Sequence, residues 1–223
     1  MKKLIRQLKA LNIEIAVKEK LKEFERGYLL SAEEKFVELC FCLLVANAGL
    51  ESTLKIWKII GKNFLTLKKR ELAERLKKLG YRFYNKRAEY IVEARKRVKD
   101  IERWLVDPES GIPTTSRHSS AQGRNDNLHM RAWLVENVKG IGWKEASHFL
   151  RNMGFFDFAI LDRHILKILA RYKIIDAVPK TLIKKKYLEI ENRLEEVARR
   201  AGLTMAELDI YLFYLDSGRL CSK

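Results

Sequence analysis

Cysteine is scarce in this chain of 223 residues: Cys40, Cys42 and Cys221 are an odd set that cannot pair completely. The first two stand in an apolar run with the pattern of a helix interior, so a reducing compartment is expected rather than secretion. No C-x-x-C pair occurs and no Cys and His cluster has ligand spacing, which argues against zinc and an iron–sulfur cluster. Neither a metal nor another cofactor is therefore expected. Proline is equally rare, at three residues, and no long alternating segment appears, so a β-rich fold is excluded. Long hydrophobic runs are missing too. ELCFCLLVANAGL stops short of a membrane span, and the N-terminal MKKLIRQLKALNIEIAVKEK breaks its apolar positions with charge, unlike a signal peptide. The expected location is the cytoplasm, with no membrane partner.

Negative charge is in short supply as well. The chain carries 45 Lys plus Arg against 29 Asp plus Glu, a formal charge of +16. A surface adapted to heat would be rich in both signs, whereas this excess points to a polyanion, and nucleic acid is the favoured partner. Helical periodicity runs from end to end and predicts an all-α protein. Ser31-Ala32-Glu33-Glu34 and Thr204-Met205-Ala206-Glu207 have the form of capping boxes and mark two helix starts. Helices are expected near 14–26, 31–46, 51–60, 68–79, 84–105, 130–138, 143–153, 163–172, 182–201 and 205–217. The one compositional break is DPESGIPTTSRHSSAQGRNDN, residues 107–127, rich in Ser, Gly and Asn and holding two of the three prolines. It is expected to be a mobile loop, its Arg117, His118 and Arg124 belonging to an ordinary surface rather than to a binding site. It would separate a first helical lobe, about 30–105, from a second, 129–223 together with the N-terminal helices.

The segment VKGIGWKEASHFLRNMGFFDFAILD, residues 138–162, carries the chemistry. Val138-Lys139-Gly140-Ile141-Gly142 has two glycines around one apolar residue, a hairpin able to turn tightly and approach another molecule closely. The helix that follows offers its first N–H groups to an anion such as a DNA phosphate. Lys144 falls in the first turn of that helix, and Asp162 heads the next one, RHILKILARY. A lysine attacks only as the neutral amine, and the positive end of a helix dipole disfavours the ammonium. An amine and a carboxylate together suit attack at a sugar C1′, the carboxylate stabilising positive charge on the sugar while the amine adds to it. Taken singly, each residue has a plainer role: Lys144 as a phosphate contact, Asp162 as an N-cap. Lys139, inside the hairpin, fits phosphate contact better than attack. His164 fits either a phosphate contact or a partly buried histidine.

Taken as one pattern, these residues resemble the helix-hairpin-helix DNA glycosylases, whose hairpin has the form L-x-G-[VI]-G-x-K and whose following loop ends in an aspartate. Here the pattern is Val138-Lys139-Gly140-Ile141-Gly142-Trp143-Lys144, then Ile160-Leu161-Asp162. The string KGIGWKEASHFLRN…AILDRHIL is similar to the type 2 8-oxoguanine DNA glycosylases of archaea and some bacteria. The likeness extends through FCLLVANAGLES, RFYNKRAEYIVEAR and LDIYLFYL. It implies a two-lobed all-α fold with a DNA cleft between the lobes and a target base flipped out of the duplex. It also implies double-stranded DNA containing oxidised guanine as partner, excision through a Schiff base, then β-elimination at the abasic site. Lys144 matches the nucleophile and Asp162 the carboxylate; Gly140, Ile141 and Gly142 match the phosphate-binding hairpin, with His164 near the same backbone. Phe213 and the terminal Lys223 match positions that help form the base pocket.

Three departures qualify the match. Ile160-Leu161 replaces the proline common before the aspartate, which narrows the subgroup. The C-terminal four-cysteine cluster of several relatives is missing, which speaks against endonuclease III-like activity. Phe213 stands where related sequences tend to have tryptophan, and Lys223 is the least secure of the transfers. Two alternatives stay open: a glycosylase for another lesion, and a helix-hairpin-helix module that binds DNA without chemistry. The chain is expected to act as a monomer.

Overall fold

A computed structural model describes residues 1–105 and 121–221, and no strand occurs among them. The helices are α1 (Lys2–Lys9), α2 (Glu14–Tyr28), α3 (Ala32–Val45), α4 (Leu50–Ile60), α5 (Lys69–Lys78), α6 (Tyr84–Ala94), α7 (Val98–Leu105), α8 (Ala121–Asn137), α9 (Trp143–Asn152), α10 (Arg163–Arg171), α11 (Lys184–Ala201) and α12 (Met205–Ser217). Both expected capping boxes form. Ser31 Oγ accepts from the Glu34 N–H at 3.3 Å while Glu34 accepts from the Ser31 N–H at 2.9 Å. Thr204 and Glu207 repeat the exchange at 3.1 and 2.7 Å. Among the described residues no helix is long and apolar enough to cross a membrane.

The chain divides into two compact units, residues 27–149 and residues 1–26 with 150–223. The 27–149 unit is built on α3, whose Phe36 and Leu39 to Leu44 are all but inaccessible to solvent. A helix apolar on every side belongs in the centre of a core. Its last carbonyls are capped by side chains rather than by a glycine: Tyr81 Oη donates to Leu44 O at 2.5 Å and Arg87 Nη2 to Ala46 O at 2.9 Å. In the other unit α12 is central, with Leu208, Ile210 and Leu212 fully buried, and α10 and α11 pack against it.

Four sequence expectations need correction. Residues 121–127 are not loop but the first two turns of α8, the rest of the expected loop lying outside the described residues. Buried Asn127, Met130, Arg131, Leu134 and Val138 make a regular helical stripe, but two of its members are polar. The expected helix 84–105 is interrupted by a 3₁₀ turn at Arg95–Arg97, where the Arg95 Nε–H bonds Phe64 O at 2.6 Å. The tighter turn re-phases α7 so that Ile101 and Leu105 are buried. α1 lies outside the expected helices, and it buries only Leu4 and Leu8. Finally, the hairpin at 138–142 falls with residues 27–149, whereas the sequence grouped it with 129–223.

Candidate active site

The hairpin between α8 and α9 is closed by the Ile141 N–H on Val138 O at 3.1 Å. Val138 and Ile141 are buried, which leaves Lys139 and the glycines as the face turned outward. Gly140 has φ +89°, and a Cβ there would lie 2.2 Å from Tyr90 Cδ2. Two independent constraints, handedness and the ring of Tyr90, therefore demand glycine. Gly142 precedes α9 and its N–H donates to Glu145 Oε2 at 3.3 Å, so Glu145 caps the helix from its third position.

Lys144 lies in the first turn of α9, about one quarter exposed, with Nζ 3.2 Å from Glu145 Oε1. One carboxylate thus touches both the hairpin and the amine. Beneath this turn Arg131 is wholly buried, its Nη1 bonding Ser147 Oγ at 3.1 Å and its guanidinium 5.0 Å from the Trp143 ring centroid. Lys139 is engaged: its Nζ lies 2.8 Å from Glu89 and 3.6 Å from Glu93, both on α6. Hydrogen bonds from Lys139 and Lys69 hold the Glu89 carboxyl at about 2, and Glu89 in turn raises the Lys139 ammonium.

Asp162, His164 and Phe213 belong to the other unit. Asp162 is the N-cap of α10 with extended backbone, and its Oδ1 accepts from the N–H groups of His164 at 2.8 Å and Ile165 at 3.0 Å. The plain role of a cap is therefore filled, through one oxygen only, and Oδ2 carries no hydrogen bond among the described residues. His164 is two-fifths exposed; its Nδ1 lies 2.7 Å from Asp216 Oδ2, and its ring meets Phe213 edge-on at 5.1 Å. Phe213 itself is half-buried on α12. Lys223, Arg117 and His118 lie outside the described residues, as does the side chain of Arg124.

Five side chains around these residues carry no signal in the pattern that singles out the site: Tyr90, Glu145, Asp216, and the buried pair of Arg151 and Asp209. Arg151 Nη1 lies 2.5 Å from Asp209 Oδ2, and both side chains are nearly inaccessible. A signal was present for the last pair, since Asp209 is a carboxylate set between Leu208 and Ile210 at the start of an apolar run.

Residues 17–203 match the family model for 8-oxoguanine DNA glycosylase. The chain is 46% identical over 220 residues to the 8-oxoguanine DNA glycosylase/AP lyase of Methanocaldococcus jannaschii, covering 98% of this chain and 97% of that protein. The Thermotoga maritima protein of the same name is 39% identical over 223 residues, covering 99% of each. Among solved structures, that of the M. jannaschii glycosylase/lyase in complex with a 15mer DNA containing 8-oxoguanine superimposes with a TM-score of 0.84 at 44% identity, covering 99% of this chain and 98% of that one. The 8-oxoguanine DNA glycosylase of T. maritima gives 0.84 at 38% identity, covering 98% of each. An all-α fold, a glycine hairpin leading into a lysine-bearing helix, an aspartate cap and these matches agree, and the chain belongs to the 8-oxoguanine DNA glycosylase family.

Proposed function

We propose that this protein excises 8-oxoguanine from duplex DNA and then cleaves the strand at the abasic site, with Lys144 as nucleophile and Asp162 as the carboxylate that supports base loss. The observation that carries this reading is near full-length identity of 46% to a protein named for both activities, in a chain where the hairpin, the lysine and the aspartate all occur in pattern. In the first step the bond from C1′ to the base breaks and the Lys144 amine bonds C1′. Asp162 offers Oδ2, the oxygen its cap role does not use, to the positive charge that develops on the sugar. The base leaves with the electron pair of its bond to C1′ and takes up a proton, and one amine proton passes to the ring oxygen as the sugar opens, which gives a protonated Schiff base. Removal of a C2′ proton then expels the 3′ phosphate, and water releases the lysine.

The hairpin glycines hold a backbone phosphate, His164 steadies the same backbone through its exposed ring edge, and Phe213 lines the base pocket. Lys223 is assigned to that pocket by family pattern alone. Lys139 joins the phosphate contact by exchanging Glu89 for the DNA backbone, a trade of one anion for another. Measured excision rates on duplexes that differ only in the lesion test the substrate. The 8-oxoguanine duplex should be cut much faster than ones carrying an oxidised pyrimidine or a mismatched adenine. Faster cutting of either competitor would redirect the assignment to another lesion.

A further inference from the structure

We propose that Asp209, clamped by Arg151, is a positioning residue for base excision: by holding the Ile160 amide it fixes the backbone that carries Asp162 and so the direction of the Asp162 carboxylate. The proposal rests on the reading of Asp162 given above. A buried carboxylate on an apolar helix is poorly explained by stability, since a hydrophobic side chain would pack there without losing solvation. Its two oxygens have separate tasks. Oδ2 meets Arg151 Nη1 at 2.5 Å, and Oδ1 accepts from the Ile160 N–H at 2.9 Å. Ile160 O then accepts from the Asp162 N–H at 2.7 Å. Asp162 Oδ1 in turn accepts from His164 and Ile165. A path of hydrogen bonds therefore runs from α12 through the backbone of Ile160 to the residue that heads α10.

Arg151 is itself held in place. Its Nη2 bonds Asn152 Oδ1 at 3.0 Å, and its guanidinium lies 4.4 Å from the Phe24 ring centroid on α2. The segment between α9 and α10 has further anchors: the Ala206 N–H donates to Phe156 O at 3.2 Å and Tyr187 Oη to Ala159 O at 3.3 Å. Asp209 is an anchor of this segment that carries a titratable carboxyl. The groups facing Asp209 are Arg151 from α9, Asp162 from the segment before α10 and Cys221 from the tail. Burial pushes the Asp209 carboxyl up to about 6, against the opposing pull of Arg151 and the Ile160 N–H, while Asp162 adds to the rise.

The test uses the full chain and compares Asp209→Asn and Asp162→Asn with the parent by single-turnover excision from an 8-oxoguanine duplex, alongside DNA affinity and the unfolding midpoint. Asp209→Asn should lower the excision rate roughly 10- to 100-fold with DNA affinity unchanged, the scale of a modest misplacement of a reacting group. If Asp162→Asn is impaired and Asp209→Asn excises at the parent rate, the positioning proposal is wrong while the reading of Asp162 stands. Full activity in Asp162→Asn would overturn that reading instead. A second measurement needs no variant at position 209. In ¹⁵N-labelled His164→Gln protein, which removes the ring beside the reporting amides, the amides of Ile160 and Ile165 should titrate together with a midpoint near 6. Titration of Ile160 while Ile165 stays still would sink the proposal, because Ile165 reports the Asp162 carboxylate directly.

Discussion

At Gly140 the backbone stands at φ +89°, and a methyl group there would meet the Tyr90 ring. The left-handed region costs a residue with a Cβ about 1–2 kcal/mol, and the clash adds to that. Gly140→Ala should therefore shift the hairpin and weaken DNA binding by roughly tenfold, a loss near 1.4 kcal/mol, checked by titration of a labelled duplex. Restoring space with Tyr90→Ala should recover only part of it, since the backbone penalty remains. Complete recovery in the double variant would place the whole requirement on the ring and none on the handedness. The same scale explains Glu145, which caps α9 and holds the amine of Lys144 with one side chain. That carboxylate is adjacent in sequence to the lysine, yet its double contact became visible only once the hairpin folded back over the helix start.

The hairpin is tied to α6 by the ion pairs of Lys139 with Glu89 and Glu93. If Lys139 contacts phosphate, Glu89 competes with DNA for it. Glu89→Gln should then tighten DNA binding severalfold at low salt and steepen the salt dependence by about one phosphate contact. An unchanged salt slope would make Lys139 a strut between hairpin and helix. Legibility at this scale depended on range. The capping boxes at Ser31 and Thr204 were readable because each closes within one turn of chain. The first turns of α8 were not, because Asn127 and Arg131 occupy buried positions that a hydrophobic pattern leaves blank. The break at Arg95 depends on the carbonyl of Phe64, and the anchoring of Ile160 on Asp209, distant contacts that periodicity does not encode. The places of Lys144 in the first turn of α9 and Asp162 at the head of α10 were legible because each follows from local helix-start signals, while Tyr90, Asp216 and Arg151 make contacts with residues brought near by packing.

For the whole molecule, buried and exposed carboxyls set opposite pH trends. Asp209 has its folded value raised from 3.8 to about 6, so between those values the folded state holds the extra proton. Its contribution makes stability fall as pH rises through that window, by an amount of the order of 2–3 kcal/mol. Glu89, lowered from 4.5 to about 2, acts in the other direction: its contribution is present above 4.5 and is lost as pH falls toward 2. Exposure to solvent keeps that second term small. Denaturant unfolding of the parent and Asp209→Asn at several pH values isolates the first. The difference in unfolding free energy between the two should vary across pH 4–6 and be flat above about 7; a difference constant across the range would contradict the raised value.

Base loss through a covalent lysine is the claim on which the rest depends, and borohydride reduction during reaction with an 8-oxoguanine duplex tests it most directly. The parent protein should be captured as a protein–DNA adduct, and Lys144→Gln should abolish capture while leaving DNA affinity largely intact. An adduct that still forms in Lys144→Gln, or strand cleavage by the parent with no adduct at all, would contradict the assignment.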